Sequence, residues 1–324
     1  MPLPKTLQDN LSIPVIGAPL FLVSGPELVI AQCKAGIVGA FPALNARPQN
    51  VLEEWLIRIK KELAEAKEAN PDIPIAPYAV NQICHASNDR LLGDMELCVK
   101  HEAPIIITSL RPPEEIVKAA HSYGGLVYHD VINVKHARKA AEQGVDGLIL
   151  VCAGAGGHAG TLSPFALVRE VREFFDGTII LSGSISSGSA VASSLALGAD
   201  LAYMGSRFIA SEEANAEQEY KDMLVESAAD DIVYSSLFTG VLGNYLKPSI
   251  EKAGLDPNNL PKADKLSMDF GSGGNMDSKA WKDIWGSGQG IGSIKSSPSV
   301  QALVDQLKKE YIEAVADFKK KSSY

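Results

Sequence analysis

The 324-residue sequence lacks any long apolar segment. No stretch approaches the roughly 18 consecutive apolar residues of a transmembrane helix, and residues 1–9 contain no apolar core of signal-peptide length. We therefore expect a cytoplasmic protein without a membrane partner. Basic residues are also outnumbered, with 30 Lys and Arg against 39 Asp and Glu, which gives a net charge of -9. Because nucleic acids are bound by basic faces, a nucleic-acid partner is disfavoured.

Cysteine is scarce as well, and the usual metal-binding spacings are missing. The four cysteines are Cys33, Cys84, Cys98 and Cys152. None belongs to a C-x-x-C pair and the chain has no H-x-x-x-H motif, so neither a disulfide framework nor a metal site is expected. Cys152 is better explained as a small core residue than as a nucleophile, because nothing around it marks a thiolate. The segment around Ser184 also lacks the G-x-S-x-G elbow of serine hydrolases.

A glycine-rich loop is the most informative feature that the sequence does contain. The apolar run Leu148–Val151 is typical of a strand buried on both faces. The loop after it carries Gly154, Gly156, Gly157 and Gly160 around His158. Glycine loses the most backbone freedom on folding, so four of them around one histidine predict a close approach of the backbone to a ligand. The alternative is a flexible turn with an incidental histidine, since glycine-rich loops are common.

Short apolar runs alternate with amphipathic segments of helical length from Ile13 onward, which predicts β/α units and a parallel sheet. The predicted strands are Pro14–Ala18, Ile37–Ala40, Ile75–Val80, Ile105–Thr108, Leu126–Asp130, Gly147–Val151, Thr178–Ser182 and Leu201–Gly205. The predicted helices are Pro26–Lys34, Gln49–Ala69, Asp89–His101, Pro113–Ser122, Val134–Glu142, Pro164–Phe175, Ser187–Leu197 and Asn215–Ser227. Glycines at 36, 144 and 198 suit the left-handed caps that end helices.

Eight such units favour a closed (β/α)8 TIM barrel over an open doubly wound sheet. The open sheet stays the alternative, although its dinucleotide fingerprint is absent after the first strand, where the sequence is Gly17-Ala-Pro-Leu20. The alternation of strands and helices stops at about residue 230. Residues 230–324 contain turn-rich stretches at 262–265 and 270–275, two tryptophans, a glycine cluster at 286–292 and a final helix predicted at Val300–Phe318. We expect residues 1–229 to form the barrel and residues 230–324 to form a lid or small helical subdomain packed on it.

The loops that follow the strands line the active site of a TIM barrel. Polar residues and glycines cluster there, at Ala18–Leu20, Asn81–His85, Thr108–Ser109, His129–Asp130, Gly156–His158, Ser182–Ser184 and Gly205–Ser206. The last two loops each lead to a helix N-terminus, where backbone N–H groups and the helix dipole favour an anion. We therefore predict a ligand with a phosphate group. The alternative is that Gly183 and Gly205 only permit tight turns.

Among six histidines, His158 is the leading candidate for chemistry, because a neutral imidazole at the barrel mouth can remove or donate a proton. His85 and His129 are weaker candidates on the same face, and His129 is equally well explained as a core residue. The other three, His101, His121 and His136, fall on predicted helices and are interpreted as solvent-facing.

Taken together, these motifs resemble the nitronate monooxygenases, formerly called 2-nitropropane dioxygenases. The resemblance runs in order over roughly residues 10–295, through Pro14–Pro19, Val80–Asn81, Ala155–Gly160, Ser182–Ile185 and Met204–Phe208. Its most specific element is Gly156-Gly-His-Ala-Gly160. The same flavoprotein superfamily includes enoyl-acyl-carrier-protein reductases and NADH:quinone reductases, which share much of the pattern.

The resemblance implies a barrel that binds FMN, with the phosphate on the loops after the last two strands. The cofactor-binding residues it implies are Ala18, Pro19, Leu20, Asn81, Gly156, Gly157, Gly183, Ser184, Gly205, Ser206 and Gln289. His158 would be the catalytic histidine, which positions an anionic nitronate or acts as base on the carbon next to a nitro group. Three positions beside the flavin depart from the family pattern. Relatives often have glutamine at Gly17, methionine at Leu20 and a second glycine at Ser184.

The implied activity is the FMN-dependent oxidation of alkyl nitronates, with nitroalkanes as a further substrate class, by O2 to carbonyl compounds and nitrite. The expected partners are the nitronate and O2, and a homodimer is compatible with the sequence. One alternative is an FMN-dependent NAD(P)H:quinone or enoyl-thioester reductase. The acidic chain offers no docking patch for an acidic carrier protein, which disfavours the acyl reductase. The other alternative is a flavin-free barrel that binds a sugar phosphate.

Overall fold

A computed structural model describes residues 3–111, 113–260 and 284–323. The described strands are β1 (Val15–Gly17), β2 (Gly39–Pro42), β3 (Tyr78–Cys84), β4 (Ile105–Leu110), β5 (Leu126–Val131), β6 (Gly147–Val151), β7 (Gly157–His158), β8 (Thr178–Ser182), β9 (Leu201–Met204), β10 (Ile232–Ser235) and β11 (Gly243–Leu246). Eight of them form one parallel sheet in the order β1-β9-β8-β6-β5-β4-β3-β2. A parallel bridge between Ile16 and Val38 joins the two ends of this sheet into a ring. The predicted (β/α)8 TIM barrel is therefore confirmed, and the open sheet is excluded.

Helices surround this ring. They are α1 (Lys5–Gln8), α2 (Pro26–Lys34), α3 (Asn50–Ala69), α4 (Leu91–Lys100), α5 (Glu114–His121), α6 (Val134–Glu142), α7 (Pro164–Arg172), α8 (Gly188–Ala196), α9 (Ser206–Ile209), α10 (Gln218–Glu226), α11 (Lys247–Lys252) and α12 (Val300–Lys321). The predicted left-handed caps are confirmed, because φ is +82° at Gly36, +81° at Gly144 and +106° at Gly198. None of the described helices is long and apolar enough to cross a bilayer.

Of the eight predicted barrel strands, β6 and β8 have the predicted bounds, β1, β4, β5 and β9 differ by one or two residues at an end, and β2 and β3 are shifted along the chain. β3 was predicted at Ile75–Val80 but runs from Tyr78 to Cys84. Pro77 has no N–H to donate to the sheet, so pairing begins after it, and the strand then continues through Asn81 and Gln82. The apolar run ends before the strand does because Asn81 lines the cavity at the barrel mouth, while Gln82 packs outward against Cys98 of α4. β2 likewise begins and ends two residues later than predicted.

Side chains that point into the barrel form layers, because alternate residues of a strand face the same side. The inner apolar layer consists of Ile16, Ala40, Ala79, Ile107, Tyr128, Ile149, Ile180 and Leu201. Two residues further along each strand lies a second layer, here called the cavity floor. It consists of Ala18, Pro42, Asn81, Ser109, Asp130, Val151, Ser182 and Tyr203. The change from apolar to polar side chains between the two layers marks the functional end of the barrel.

The mouth of the barrel is covered by a small antiparallel sheet. β10 pairs with β11, and β11 pairs with β7, which belongs to the glycine-rich loop. The final helix α12 instead packs against α8 and α2 on the outside of the barrel. Residues 262–265 and 270–275 and Trp281 lie outside the described residues. The division at residue 230 therefore stays a prediction, but the described part of 230–324 contributes both to the cover and to the outer helical layer.

Candidate active site

The carboxyl ends of the barrel strands open into a cavity of about 1040 Å³. The cavity floor closes it below, and the glycine-rich loop, the β10–β11 region and residues 284–290 contribute to its walls. Its described lining contains no lysine or arginine and one carboxylate, Asp130. Any anion bound among these residues is therefore held by backbone N–H groups and neutral side chains rather than by a positive charge.

This cavity brings together almost all of the residues that the sequence assigned to the site. The predicted residues in its lining are Ala18, Pro19, Leu20, Asn81, Gly156, Gly157, His158, Gly183, Ser184, Gly205 and Ser206. Gln289 is exposed and is not part of the described lining, although its neighbours Gly288 and Gly290 are. Residues at the ends of five different barrel strands therefore converge on one space.

Two glycines leave backbone open to the cavity. A Cβ on Gly157 would have no atom within 4 Å, and φ there is +64°. A Cβ on Gly205 would approach only Leu20 and Ala18, which line the cavity themselves. Side chains at these two positions would take up cavity space, so the glycines leave backbone open there, and the close approach to a ligand stays a prediction.

The loop after β8 has an unusual backbone. Gly183 and Ser184 both have positive φ, at +127° and +56°. A left-handed conformation costs a non-glycine residue about 1 kcal/mol or more. The first N–H of α8, at Gly188, donates to the Glu310 carboxylate at 2.7 Å. A carboxylate from α12 therefore already occupies the first N–H of this helix.

His158 lies on β7, where the glycine-rich loop pairs with β11. Its Nε2 atom is 2.7 Å from Oγ1 of Thr239. Burial lowers the pKa of His158 to about 4, so the imidazole is neutral at pH 7. Thr239 Oγ1 is also 3.1 Å from the carbonyl oxygen of Val241, a second acceptor for its single proton. Thr239 can therefore donate to His158 or accept from it, and this choice decides which ring nitrogen of His158 carries the proton.

The other histidines have different surroundings. His129 is buried, and its Nδ1 atom is 2.8 Å from Thr108 Oγ1. Burial lowers the pKa of His129 to about 4. His129 and His85 are absent from the described lining, which favours the core interpretation of His129. His136 is exposed as predicted, but it lies at the cavity mouth, on the first turn of α6.

A chain of hydrogen bonds crosses the cavity floor. The Asn81 side-chain amide donates to the Ile107 carbonyl at 3.2 Å and to Ser109 Oγ at 3.0 Å. Ser109 Oγ donates to Asp130 Oδ2 at 2.6 Å. Burial raises the pKa of Asp130 to about 6. The sequence placed Asp130 in a strand-end loop but gave it no role, although its shared parity with Tyr128 on β5 already predicts that it points inward.

Of the three departures from the family pattern that were expected beside the flavin, one does not lie in the cavity. Gly17 does not line the cavity, whereas Leu20 and Ser184 do. A Cβ on Gly17 would overlap the side-chain amide of Gln32, which is fully buried on α2. A glutamine side chain from the helix thus occupies the space beside this strand, so glycine at position 17 is explained by packing rather than by contact with a ligand.

Comparison with known proteins identifies the family. The model of the nitronate monooxygenase family matches residues 5–310. The chain belongs to the nitronate monooxygenase family. A nitronate monooxygenase of Paraburkholderia phytofirmans is 25% identical over 342 residues, 93% of each chain. A putative monooxygenase of Mycobacterium tuberculosis is 29% identical over 68% of this chain, and the match spans 62% of that relative, less than two thirds.

Solved structures agree with the fold of this family member. The nitroalkane oxidase of Streptomyces ansochromogenes superposes with a TM-score of 0.77, over 97% of this chain and all of that one, at 20% identity. This likeness concerns the barrel and its covering elements. The chain is thus an oxidoreductase of the nitronate monooxygenase family, with His158 and its glycine-rich loop at the barrel mouth.

Proposed function

We propose that this protein is an FMN-dependent nitronate monooxygenase that oxidises alkyl nitronates with O2 to carbonyl compounds and nitrite. The observation that carries the proposal is the convergence of His158 with the predicted cofactor residues on a single cavity. Membership of the family supports the reaction class. The cavity is large enough for both a cofactor and a small substrate.

The residues present fit FMN. Gly157 and Gly205 leave backbone surface that a ligand can cover, and Asp130 Oδ1 is a buried oxygen without a hydrogen-bond partner among the described residues. Gly183, Ser184, Gly205 and Ser206 would hold the phosphate. Ala18, Pro19, Leu20, Asn81, Gly156 and Gly157 would hold the ring system. When bound, FMN supplies the electron transfer and the reaction with oxygen.

The neutral state of His158 favours nitronates over nitroalkanes as substrates. With a pKa near 4, the imidazole is a weak base for removing a proton from carbon. An alkyl nitronate has already lost that proton, so it needs only to be bound and oriented. His158, whose Nε2 atom is 2.7 Å from Thr239 Oγ1, is suited to this task as a neutral group that orients the substrate.

The rim of the cavity favours an alkyl substituent on the substrate. Four apolar side chains line the mouth although they are 38–47% exposed: Leu110, Ile132, Leu162 and Leu242. An alkyl chain that covers them would gain up to about 0.8 kcal/mol for each buried methylene. These exposed apolar side chains support a small substrate with an apolar tail.

The test begins with the absorbance spectrum of the purified protein before and after incubation with FMN. We expect a bound flavin spectrum that NADH does not bleach under anaerobic conditions. Rapid bleaching by NADH would assign the protein to the quinone or enoyl-thioester reductases. A protein that binds no flavin would leave only the sugar-phosphate barrel.

A further inference from the structure

The cavity floor contains two neighbouring hydroxyl groups, on Ser182 of β8 and Tyr203 of β9. The two residues lie opposite each other in the register of these adjacent strands. Adjacent strands are about 4.8 Å apart, so the two side chains stand side by side in the floor. Both residues line the cavity, and each of them is 8% exposed.

Neither of these hydroxyls has a hydrogen-bond partner in the described part of the chain. The hydroxyl of Tyr78 is also unpartnered, but it is sealed inside the fold. The oxygens of Ser182 and Tyr203 are not sealed, so both retain surface that faces the cavity. A ligand in the cavity can therefore reach both oxygens.

Tyr203 presents its hydroxyl as a neutral phenol. Burial and the nearby Asp130 carboxylate raise the pKa of Tyr203 well above its ordinary value, so the proton stays on the phenol at pH 7. The ring packs on the inner apolar layer, which fixes the height of the hydroxyl in the floor. Phenol and serine hydroxyls can both donate and accept, and a ligand group that also does both would satisfy them best.

The two hydroxyls lie just below the predicted phosphate site. Ser182 comes directly before Gly183, and Tyr203 comes two residues before Gly205. The strands run towards the mouth, so Ser182 and Tyr203 are deeper in the barrel than these loops. The residues predicted to hold the flavin ring lie elsewhere in the lining, next to β1, within β3 and in the glycine-rich loop. In FMN the ribityl chain, with its row of hydroxyl groups, joins the phosphate to the ring.

We propose that Tyr203 and Ser182 bind the ribityl chain of FMN through hydrogen bonds to its hydroxyl groups. This inference rests on the proposed function, because it requires a flavin in the cavity. The position below the phosphate loops favours the part of FMN next to the phosphate. A polyol also matches the pair chemically, because each of its hydroxyls donates and accepts, whereas a ring carbonyl only accepts.

The experiment measures the dissociation constants of FMN, riboflavin and lumiflavin for the flavin-free full chain by fluorescence quenching. Lumiflavin carries the same ring system with a methyl group in place of the ribityl chain. Tyr203→Phe and Ser182→Ala should each weaken the binding of FMN and riboflavin by roughly 3- to 10-fold, and neither should affect lumiflavin. The unmodified chain should bind riboflavin more tightly than lumiflavin by at least about tenfold, a result that does not depend on any variant.

Tyr78→Phe is the matched control. It removes a phenolic hydroxyl at the start of β3 that is sealed inside the fold and does not belong to the described cavity lining. We expect this variant to bind all three flavins like the unmodified chain. Damage to the fold would weaken riboflavin and lumiflavin alike, so the comparison of these two flavins in one variant isolates the ribityl contact.

The other outcomes separate this inference from the proposed function. The ribityl contact is refuted, and the proposed function stands, if lumiflavin binds to the unmodified chain as tightly as riboflavin. The same conclusion follows if either variant binds riboflavin within about twofold of the unmodified chain, or if it weakens riboflavin and lumiflavin equally. If none of the three flavins binds to the chain or its variants, both proposals are overturned.

Discussion

Replacing Thr239 by valine tests whether the Thr239 hydroxyl positions His158 for turnover. Valine keeps the branched shape of threonine but removes the hydroxyl, which is 2.7 Å from His158 Nε2. Loss of one partner from a buried polar group costs about 1–3 kcal/mol. If the transition state loses this free energy of stabilisation, the turnover rate decreases by roughly 5- to 150-fold, because about 1.4 kcal/mol corresponds to a tenfold change in rate. Bound FMN should be unaffected, since Thr239 does not belong to the described lining.

The assay is the rate of oxygen uptake with a saturating alkyl nitronate, together with its pH profile. Thr239→Ser is the matched control, because serine keeps the hydroxyl that also contacts the backbone of Val241. We expect Thr239→Ser to be close to the unmodified enzyme, and Thr239→Val to be slow with the same flavin content. Turnover of Thr239→Val within twofold of the unmodified rate, or equal losses in both variants, would refute a role of this hydroxyl in positioning His158.

Three further predictions follow from the site and its surroundings. His158→Asn should retain FMN and lose about 100-fold or more in nitronate turnover, and an unchanged rate of oxygen uptake would remove His158 from the mechanism. His129 should lower the free energy of unfolding by about 1.6 kcal/mol between pH 6.5 and 5, because its pKa of about 4 in the fold leaves it neutral while the unfolded chain binds a proton. His158 contributes with the same sign and Asp130 with the opposite sign, so urea unfolding of His129→Asn at both pH values isolates the contribution of His129, and an equal fall in both proteins would contradict the assignment. Longer n-alkyl nitronates should have a lower KM, by up to about fourfold for each methylene. Leu242→Ser should weaken this dependence of KM on chain length. Leu92→Ser should leave it unchanged, because Leu92 lies on α4 outside the described cavity lining.

The barrel could be predicted from the sequence because each unit carries its own local pattern. β6 and β8 are short apolar runs with a glycine or the start of a loop at each end. Their predicted bounds match the structure. Glycine caps at 36, 144 and 198 separate the helices from the next strands. These signals depend on residues that are close in the sequence, so they can be recognised without the tertiary structure.

The cover over the mouth could not be predicted in the same way. β7 has only two residues, and its partner β11 is more than 80 residues away in the sequence. Strands this short have too few residues for a measurable hydrophobic period. The contact between His158 and Thr239 depends on this long-range pairing, so the sequence identified the histidine without its partner.

Asp130 shows a second limit of the sequence. Its inward direction follows from the alternation along β5, but the hydrogen bond that it accepts from Ser109 and the lack of lysine and arginine in the described lining do not. Both are properties of the assembled cavity floor, to which separate strands contribute one residue each. The sequence therefore named residues that line one cavity, whereas the polarity within that cavity required the structure.

Oxygen uptake and nitrite release on adding propionate 3-nitronate to the FMN-loaded protein test the central claim most directly. We expect both signals, dependent on FMN and unaffected by the absence of NADH. A fully flavin-loaded protein that consumes no oxygen and releases no nitrite with this nitronate or with longer alkyl nitronates would contradict the assignment.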